Sequence, residues 1–214
     1  MKVTHLILLM CIMLLSPDMA LVFAQETSED LSAQALEECQ KGRIAQTRDS
    51  RMEHFKRAET IAERAVKAND KNADAHFALF CSLGEQMRID GEPDFLAIFG
   101  YNRMMDALNR TLELNPDHID AMSSKGTLLV KLPAFFGGDT EKGEELLQEV
   151  IKREPTAINA RLVIAQNYAE RGQHEKAMEL AMTALKFAKV QNRKDLIPEA
   201  EEVLSNLRNG KSSD

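Results

Sequence analysis

Apolar residues recur every three or four positions along most of this chain, with polar or charged residues between them. Leu31, Ala35 and Cys39 lie on one face of a first predicted helix, and Phe55 and Ala62 lie on one face of a second. The spacing predicts helices over about 31–47, 51–68, 74–89, 94–114, 119–132, 140–153, 157–171, 174–189 and 198–206. The pattern therefore predicts an all-α fold.

The joints between these helices repeat one another. Segments 65–75, 111–121 and 150–160 each carry an apolar helix end, a short turn, an Asn or Asp, an alanine and a new helix. Repeated joints imply repeated helix pairs, and pairs that each bury one face on the next form a solenoid. We expect about four helix pairs and a C-terminal capping helix over residues 31–209.

Two of the predicted pairs contain a marked interruption. Residues 90–93 include Gly and Pro, which oppose helix continuation, and Gly100 soon after is expected to have a packing reason. Pro133 ends the fifth predicted helix, and the loop that follows carries Phe135 and Phe136. Burial in the core is the commonest use of such rings, so we expect core packing, with a ligand site as the alternative.

The fourth pair resembles a tetratricopeptide repeat (TPR). Counted from Ile158, the small, aromatic and glycine positions of that family are occupied by Ala165, Tyr168, Gly172, Ala177 and Ala184. Arg161 stands where the family has an aromatic residue, and Lys189 stands at its closing proline. The resemblance implies a right-handed α-α superhelix that binds proteins. Segment 132–139 also resembles periplasmic TPR proteins attached to solute-uptake systems of the TRAP class.

The TPR resemblance implies where a partner would bind. In that family the first helix of each pair lines the concave wall, and this register selects Ser82, Glu85, Gln86, Asp120, Ser123, Thr127, Lys131, Asn159, Leu162, Gln166 and Glu170. The binding residues expected from this set are Ser82, Gln86, Ser123, Thr127, Lys131, Asn159, Gln166 and Glu170. Asn and Gln side chains both donate and accept hydrogen bonds, so they can bond the main chain of an extended peptide.

The first residues have the features of an export signal. A positive start precedes the apolar run Leu6–Leu15, and small or short residues lead up to Ala24. We expect a signal peptide over 1–24, a flexible segment over 25–30 and a tail over 210–214. An uncleaved N-terminal anchor is the alternative. The expected location is periplasmic or secreted, with no membrane span once the signal is removed.

The remaining residues offer little chemistry. The formal net charge is −7 without a basic cluster, which argues against nucleic acid as a partner. The mature histidines, which are His54, His76, His118 and His174, show no helical ligand spacing, so we expect no metal and no cofactor. Cys39 and Cys81 fall in the first helices of neighbouring pairs. The two alternatives for them are a disulfide bond between them and two buried free thiols.

Two functional hypotheses follow. The first is an exported, non-enzymatic scaffold or adaptor that binds a protein segment on its concave surface. The alternative is a ligand-handling accessory component of a periplasmic solute transporter, with a small molecule held near Phe135 and Phe136. No catalytic motif for nucleophile, phosphate or metal chemistry is found in the sequence, so an enzyme is not expected.

Overall fold

The computed structural model describes residues 26–90 and 95–210. Their helices are α1 (Ser28–Ile44), α2 (Arg48–Ala68), α3 (Ala73–Asp90), α4 (Phe95–Leu114), α5 (Ile119–Lys131), α6 (Thr140–Arg153), α7 (Ile158–Glu170), α8 (His174–Val190) and α9 (Ile197–Arg208), with a 3-10 turn over Ala134–Phe136. No strand is found among these residues, and the all-α prediction is confirmed. The predicted signal peptide, the start of the flexible segment, most of the tail and residues 91–93 of the predicted break lie outside the described residues.

The helices pack as consecutive hairpins. α1 packs on α2, α3 on α4, α5 on α6 and α7 on α8, while α9 covers α8 and the adjoining part of α7. The second helix of each hairpin packs on the first helix of the next, and the first helices also pack on each other in the pairs α1–α3 and α5–α7. The predicted helical solenoid of four pairs and a cap is confirmed, and its handedness stays a prediction.

Small residues let the helices of a hairpin cross closely. Ala58, Ala62 and Ala65 of α2 are fully buried, and α8 contributes four buried alanines in the same way. The α5–α6 hairpin crosses at two glycines, since a Cβ on Gly126 would lie 2.7 Å from Cγ of Leu147. These small residues allow close crossings, and the space beside them is filled by large buried side chains such as Phe55, Leu147 and Leu162.

The chain enters the fold earlier than its apolar pattern indicates. The Thr27 hydroxyl accepts from the Asp30 amide at 3.1 Å, and the Asp30 carboxylate accepts from the Thr27 amide at 3.2 Å. This reciprocal cap starts α1 at Ser28, whose hydroxyl is buried and donates to the Ala65 carbonyl at 2.9 Å. The expectation of a flexible segment up to residue 30 is therefore wrong for residues 27–30.

The joins between hairpins are unequal. α3 packs along both α1 and α2, whereas the second and third hairpins meet mainly where α4 touches α5. That second join is held at one end by His118, whose ring lies 4.6 Å from the ring of Phe77 and whose Nε2 lies 3.1 Å from Oδ1 of Asp74. In the described part of the chain, no helix is both long and apolar enough to cross a lipid bilayer.

Candidate binding surface

The packing of the first helices defines an inner wall. α1 packs on α3 and α5 packs on α7, although α3 and α5 are not a packed pair; the described second helices, α2, α4, α6 and α8, do not pack side by side. Helices lie closer together on the inside of a curved array than on its outside. We therefore define the inner wall as the exposed faces of α1, α3, α5 and α7, which are the helices that the sequence selected.

The wall positions on α3 are occupied by internal contacts. Ser82 is fully buried and its hydroxyl donates to the Leu79 carbonyl at 2.9 Å, so it does not reach the surface. Gln86 is half-buried, and its Nε2 donates to Oε2 of Glu59 at 2.8 Å. The side chain of Ser82 is therefore not accessible to a partner. Gln86 could bind a partner only if its hydrogen bond to Glu59 broke.

The positions on α5 are more open. Ser123 and Thr127 are half-buried one turn apart, and the Thr127 hydroxyl donates back to the Ser123 carbonyl at 2.8 Å. Asp120 and Lys131 are exposed, at the start and the end of the helix. Neither of these two charged side chains forms an ion pair with any residue that the structure describes. Polar groups at both ends of α5 are therefore available to a partner.

α7 presents the most available polar side chains of the wall. Asn159 and Glu170 are exposed and Gln166 is half-buried, and none of them is hydrogen-bonded through its side chain to a described residue. Leu162 does not belong to this surface, because it is fully buried in the core between α7, α8 and α9. Two side-chain amides and a carboxylate along one helix are thus accessible and have no hydrogen-bond partner within the described residues.

Sequence reasoning missed an ion pair on the wall between α1 and α3. Nε of Arg43 lies 2.6 Å from Oε1 of Glu85, and Arg88 bonds the other carboxylate oxygen at 2.7 Å. Burial raises the pKa of Glu85, but the charge and hydrogen bond of Arg43 outweigh it and hold the pKa below its usual range. Opposite charges on two predicted first helices were the only signal available for this pair.

The turn between α8 and α9 carries an ion pair of its own. Arg193 holds Asp195 with two hydrogen bonds, Nε to Oδ1 at 2.9 Å and Nη2 to Oδ2 at 2.7 Å. Burial raises the pKa of Asp195, yet Arg193 keeps it below its usual range, with a further contribution from the charge of Arg43. This pair fixes the turn that leads from α8 into α9.

The two cysteines of the domain are free thiols. Cys39 and Cys81 are both buried, in one core cluster shared by the first two hairpins. Burial raises the pKa of both thiols, to about 11 for Cys81, so they are protonated at neutral pH. Protonated buried thiols are poor nucleophiles, which gives no support to a catalytic cysteine. No group of three His, Cys, Asp or Glu side chains arranged for a metal ion occurs among the described residues.

The two aromatic rings of the α5–α6 loop are not in the core. Phe135 is 81% exposed and Phe136 is 60% exposed, so the expectation of core packing is wrong. The physical reason lies beneath the loop, where α5 and α6 approach so closely that a Cβ on Gly143 would lie 2.7 Å from Cγ2 of Val130. This crossing leaves no space for a ring between the two helices.

The departure from the TPR pattern at Arg161 also has a structural account. Arg161 is 7% exposed, and its guanidinium lies 5.2 Å from the centre of the Phe187 ring. It donates to the carbonyls of Ala157 at 2.5 Å and Pro155 at 2.7 Å. The guanidinium plane thus fills the space of an aromatic ring and also satisfies carbonyls of the preceding turn.

No protein-family model and no curated protein matches the chain. Among solved structures, the chain is similar to MamA from residue 41 to its end, from Desulfovibrio magneticus RS-1. The two share 17% identity with a TM-score of 0.46, over 84% of this chain and 94% of that one. The MamA RS-1 ArsTM double mutant gives the same identity and TM-score, over 85% and 94%. A likeness at this TM-score carries no functional argument.

Proposed function

We propose that this chain is an exported, TPR-like interaction scaffold that binds a protein segment along its inner wall and performs no catalysis. The observation that carries the proposal is the set of accessible polar side chains on α7 that have no hydrogen-bond partner among the described residues, namely Asn159, Gln166 and Glu170. Export is proposed from the apolar run and small residues of positions 1–24. The TPR-like register supports the choice of first helices for the wall.

The spacing of the wall suits an extended segment that crosses the helices. Packed helices lie about 9 Å apart, and an extended chain rises about 3.3 Å per residue. A crossing segment would therefore meet a new first helix roughly every three residues. At α7 the amides of Asn159 and Gln166 can each donate to a main-chain carbonyl and accept from a main-chain N–H. Such contacts recognise main chain more than side chains.

The test uses peptides and two matched double variants. An array of unrelated peptides first identifies binders of the wild type, whose affinities are then measured by fluorescence anisotropy. We expect Asn159→Ala with Gln166→Ala to weaken the best binder by about tenfold, which corresponds to about 1.4 kcal/mol. The control, Asn102→Ala with Gln148→Ala, removes two exposed amides from the second helices α4 and α6 and should leave the affinity unchanged.

Equal affinity of both double variants would contradict the assignment of the wall, provided that circular dichroism shows the same helicity for each. Failure of every peptide in the array to bind the wild type would contradict the scaffold proposal itself.

The transporter-accessory alternative places a small molecule near Phe135 and Phe136. The high exposure of both rings gives this alternative no support, because a ligand site buries most of its ligand between its lining side chains. A thermal-shift screen with small solutes separates the two hypotheses, since a specific ligand raises the melting temperature without a second protein.

A further inference from the structure

The α5–α6 loop carries an exposed aromatic tip, which we define as residues 133–137. All five residues are exposed, and none has a charged or hydrogen-bonding side chain. The rings of Phe135 and Phe136 lie with their centres 4.4 Å apart, so they form one continuous apolar surface. Large apolar side chains this exposed and adjacent to one another are uncommon on a solvated surface and mark a contact site.

The loop backbone holds this tip in a fixed shape. Gly137 adopts a positive φ of 88°, which glycine tolerates far better than other residues. Gly138 passes so close to the Leu132 carbonyl that a Cβ would lie 1.7 Å from its oxygen. The rings are therefore presented outward by constraints on the main chain, and little conformational freedom is lost when they contact another surface.

The main chain of the loop also satisfies most of its own polar groups. The amides of Phe136 and Gly138 donate to the Pro133 carbonyl, and that of Gly137 donates to the Ala134 carbonyl at 3.0 Å. The Tyr101 hydroxyl donates to the Phe136 carbonyl at 3.4 Å. The amides of Ala134 and Phe135 and the carbonyls of Phe135 and Gly137 have no partner among the described residues. These groups need water or other polar partners, so the tip suits a hydrated interface and not a medium without hydrogen-bonding groups.

The charges around the tip indicate which kind of surface it meets. Lys131 and Lys142 are exposed on either side of the loop, and Asp139 and Glu141 balance them, so segment 131–142 has no net charge. The whole chain carries −7. An anionic surface would repel the negatively charged chain, and the neutral segment around the tip would not offset that repulsion. A zwitterionic surface offers phosphate groups to the lysines and ammonium groups to the carboxylates.

We propose that the aromatic tip docks this protein onto the interface of a zwitterionic lipid bilayer. Phe135 and Phe136 enter the headgroup region and Lys131 lies at the level of the phosphates, while Lys142 stays paired with Asp139 at 2.9 Å. Aromatic rings favour this depth, and lysines reach the interface from either side of it. A second copy of the chain is a poorer occupant, because the two rings offer roughly 300 Å² against about 800 Å² per partner in a standard interface.

The test uses the absence of tryptophan from the sequence. Phe136→Trp in the full chain places a single fluorophore at the tip, and we expect its emission to shift to the blue on addition of phosphatidylcholine vesicles. Brominated lipid should quench it. The association constant should lie below about 10⁴ M⁻¹, the value for one myristoyl chain, because two rings are smaller than that chain. Replacing part of the lipid by phosphatidylglycerol should weaken binding at low salt.

Two further variants make the result specific. Val190→Trp is the matched control, since Val190 is 75% exposed at the far end of α8, and its emission should not change. Phe135→Ser with Phe136→Ser should lower vesicle co-flotation at least tenfold while circular dichroism stays unchanged. The shift in emission reports on the position that carries the tryptophan. The N-terminal apolar run is identical in every variant, so it cannot cause a difference in emission between them.

The proposal is overturned if the Phe136→Trp emission is unchanged with both lipid compositions. That outcome would favour an apolar pocket on a partner protein as the surface that the tip contacts. It is equally overturned if Val190→Trp shifts as much as Phe136→Trp, because contact would then have no preference for the tip.

Discussion

Glu85 shows how a single charged residue stabilises the wall that the proposed function needs. Its carboxylate is shared between Arg43 on α1 and Arg88 on α3. Removing one partner of a mostly buried pair leaves the other without compensation, and that loss commonly exceeds the net gain of the intact pair. The pair therefore matters more for keeping the first two hairpins in place than as a site for chemistry.

We expect Glu85→Gln to lower the free energy of unfolding by about 2 kcal/mol at pH 7. The folded-state pKa of Glu85 is depressed, so its stabilisation is present above its unfolded-state pKa and is lost as pH falls through the folded-state pKa. The difference between variant and wild type in urea titrations should thus shrink at acidic pH. A difference that stays constant down to pH 3 would contradict this role.

The residue scale also shows where sequence patterns stop. The buried Ala165, Ala177 and Ala184 and the positive φ of Gly172 lie at the TPR-like positions of the fourth pair. The outward direction of Phe135 was not predictable, because it depends on how closely two other helices cross. The same applies to Ser82, which follows the register of the wall but is covered by its neighbours. Register assigns a helical face, and only packing decides which positions on that face remain open.

At the scale of elements, the α5–α6 crossing depends on its glycines. A Cβ on Gly126 would lie 2.7 Å from Cγ of Leu147 and 3.1 Å from the Gly143 carbonyl oxygen. Alanine is the better helix former by about 1 kcal/mol, so helix propensity alone predicts that Gly126→Ala stabilises. The steric contact opposes that gain, because Leu147 is fully buried and has no open space to enter.

We expect Gly126→Ala to lower the free energy of unfolding by about 1–3 kcal/mol, as overpacking does in other cores. Gly100→Ala in α4 is the matched control, because its Cβ would lie 3.9 Å from Sδ of Met87, an ordinary contact. The packing reason expected for Gly100 is therefore not found among the side chains that the structure describes, and this variant should gain up to about 1 kcal/mol. Stabilisation by both substitutions in chemical denaturation would show that the crossing tolerates a methyl group.

Local sequence signals marked some element boundaries correctly, and other signals were missed. Asp139 caps α6 at its predicted start, and Pro133 ends α5 one residue before the expected end. The start of α1 was missed because its cap, Thr27 with Asp30, precedes the first apolar residue of the stripe. A capping box is itself readable from sequence, so this error was avoidable, unlike those that depend on tertiary packing.

At the scale of the molecule, the join between the second and third hairpins is the weak one. The first two hairpins share a core cluster that includes Phe55, Phe77 and Leu108, and only Ala121 among its buried members comes from α5. In arrays of this kind the total stability is roughly a sum of repeats and interfaces. A thin interface lets the two halves of the array open separately.

We expect native-state hydrogen exchange to show two groups of amides, one in α1–α4 and one in α5–α9, with different opening free energies. His118→Ala should widen the difference, because it removes the ring contact with Phe77 and the hydrogen bond to Asp74. Uniform protection across all helices of the variant would indicate a single cooperative unit.

α9 makes the array finite. Its inner face buries Ala200, Val203, Leu204 and Leu207 on the last hairpin, and its outer face carries Glu201, Glu202 and Arg208 in water. A further hairpin stacked on that end would have to strip water from these charges without opposite charges to receive them. The twelve residues of α9 therefore cap the stack of hairpins at this end. They limit the length of the inner wall that a partner can contact.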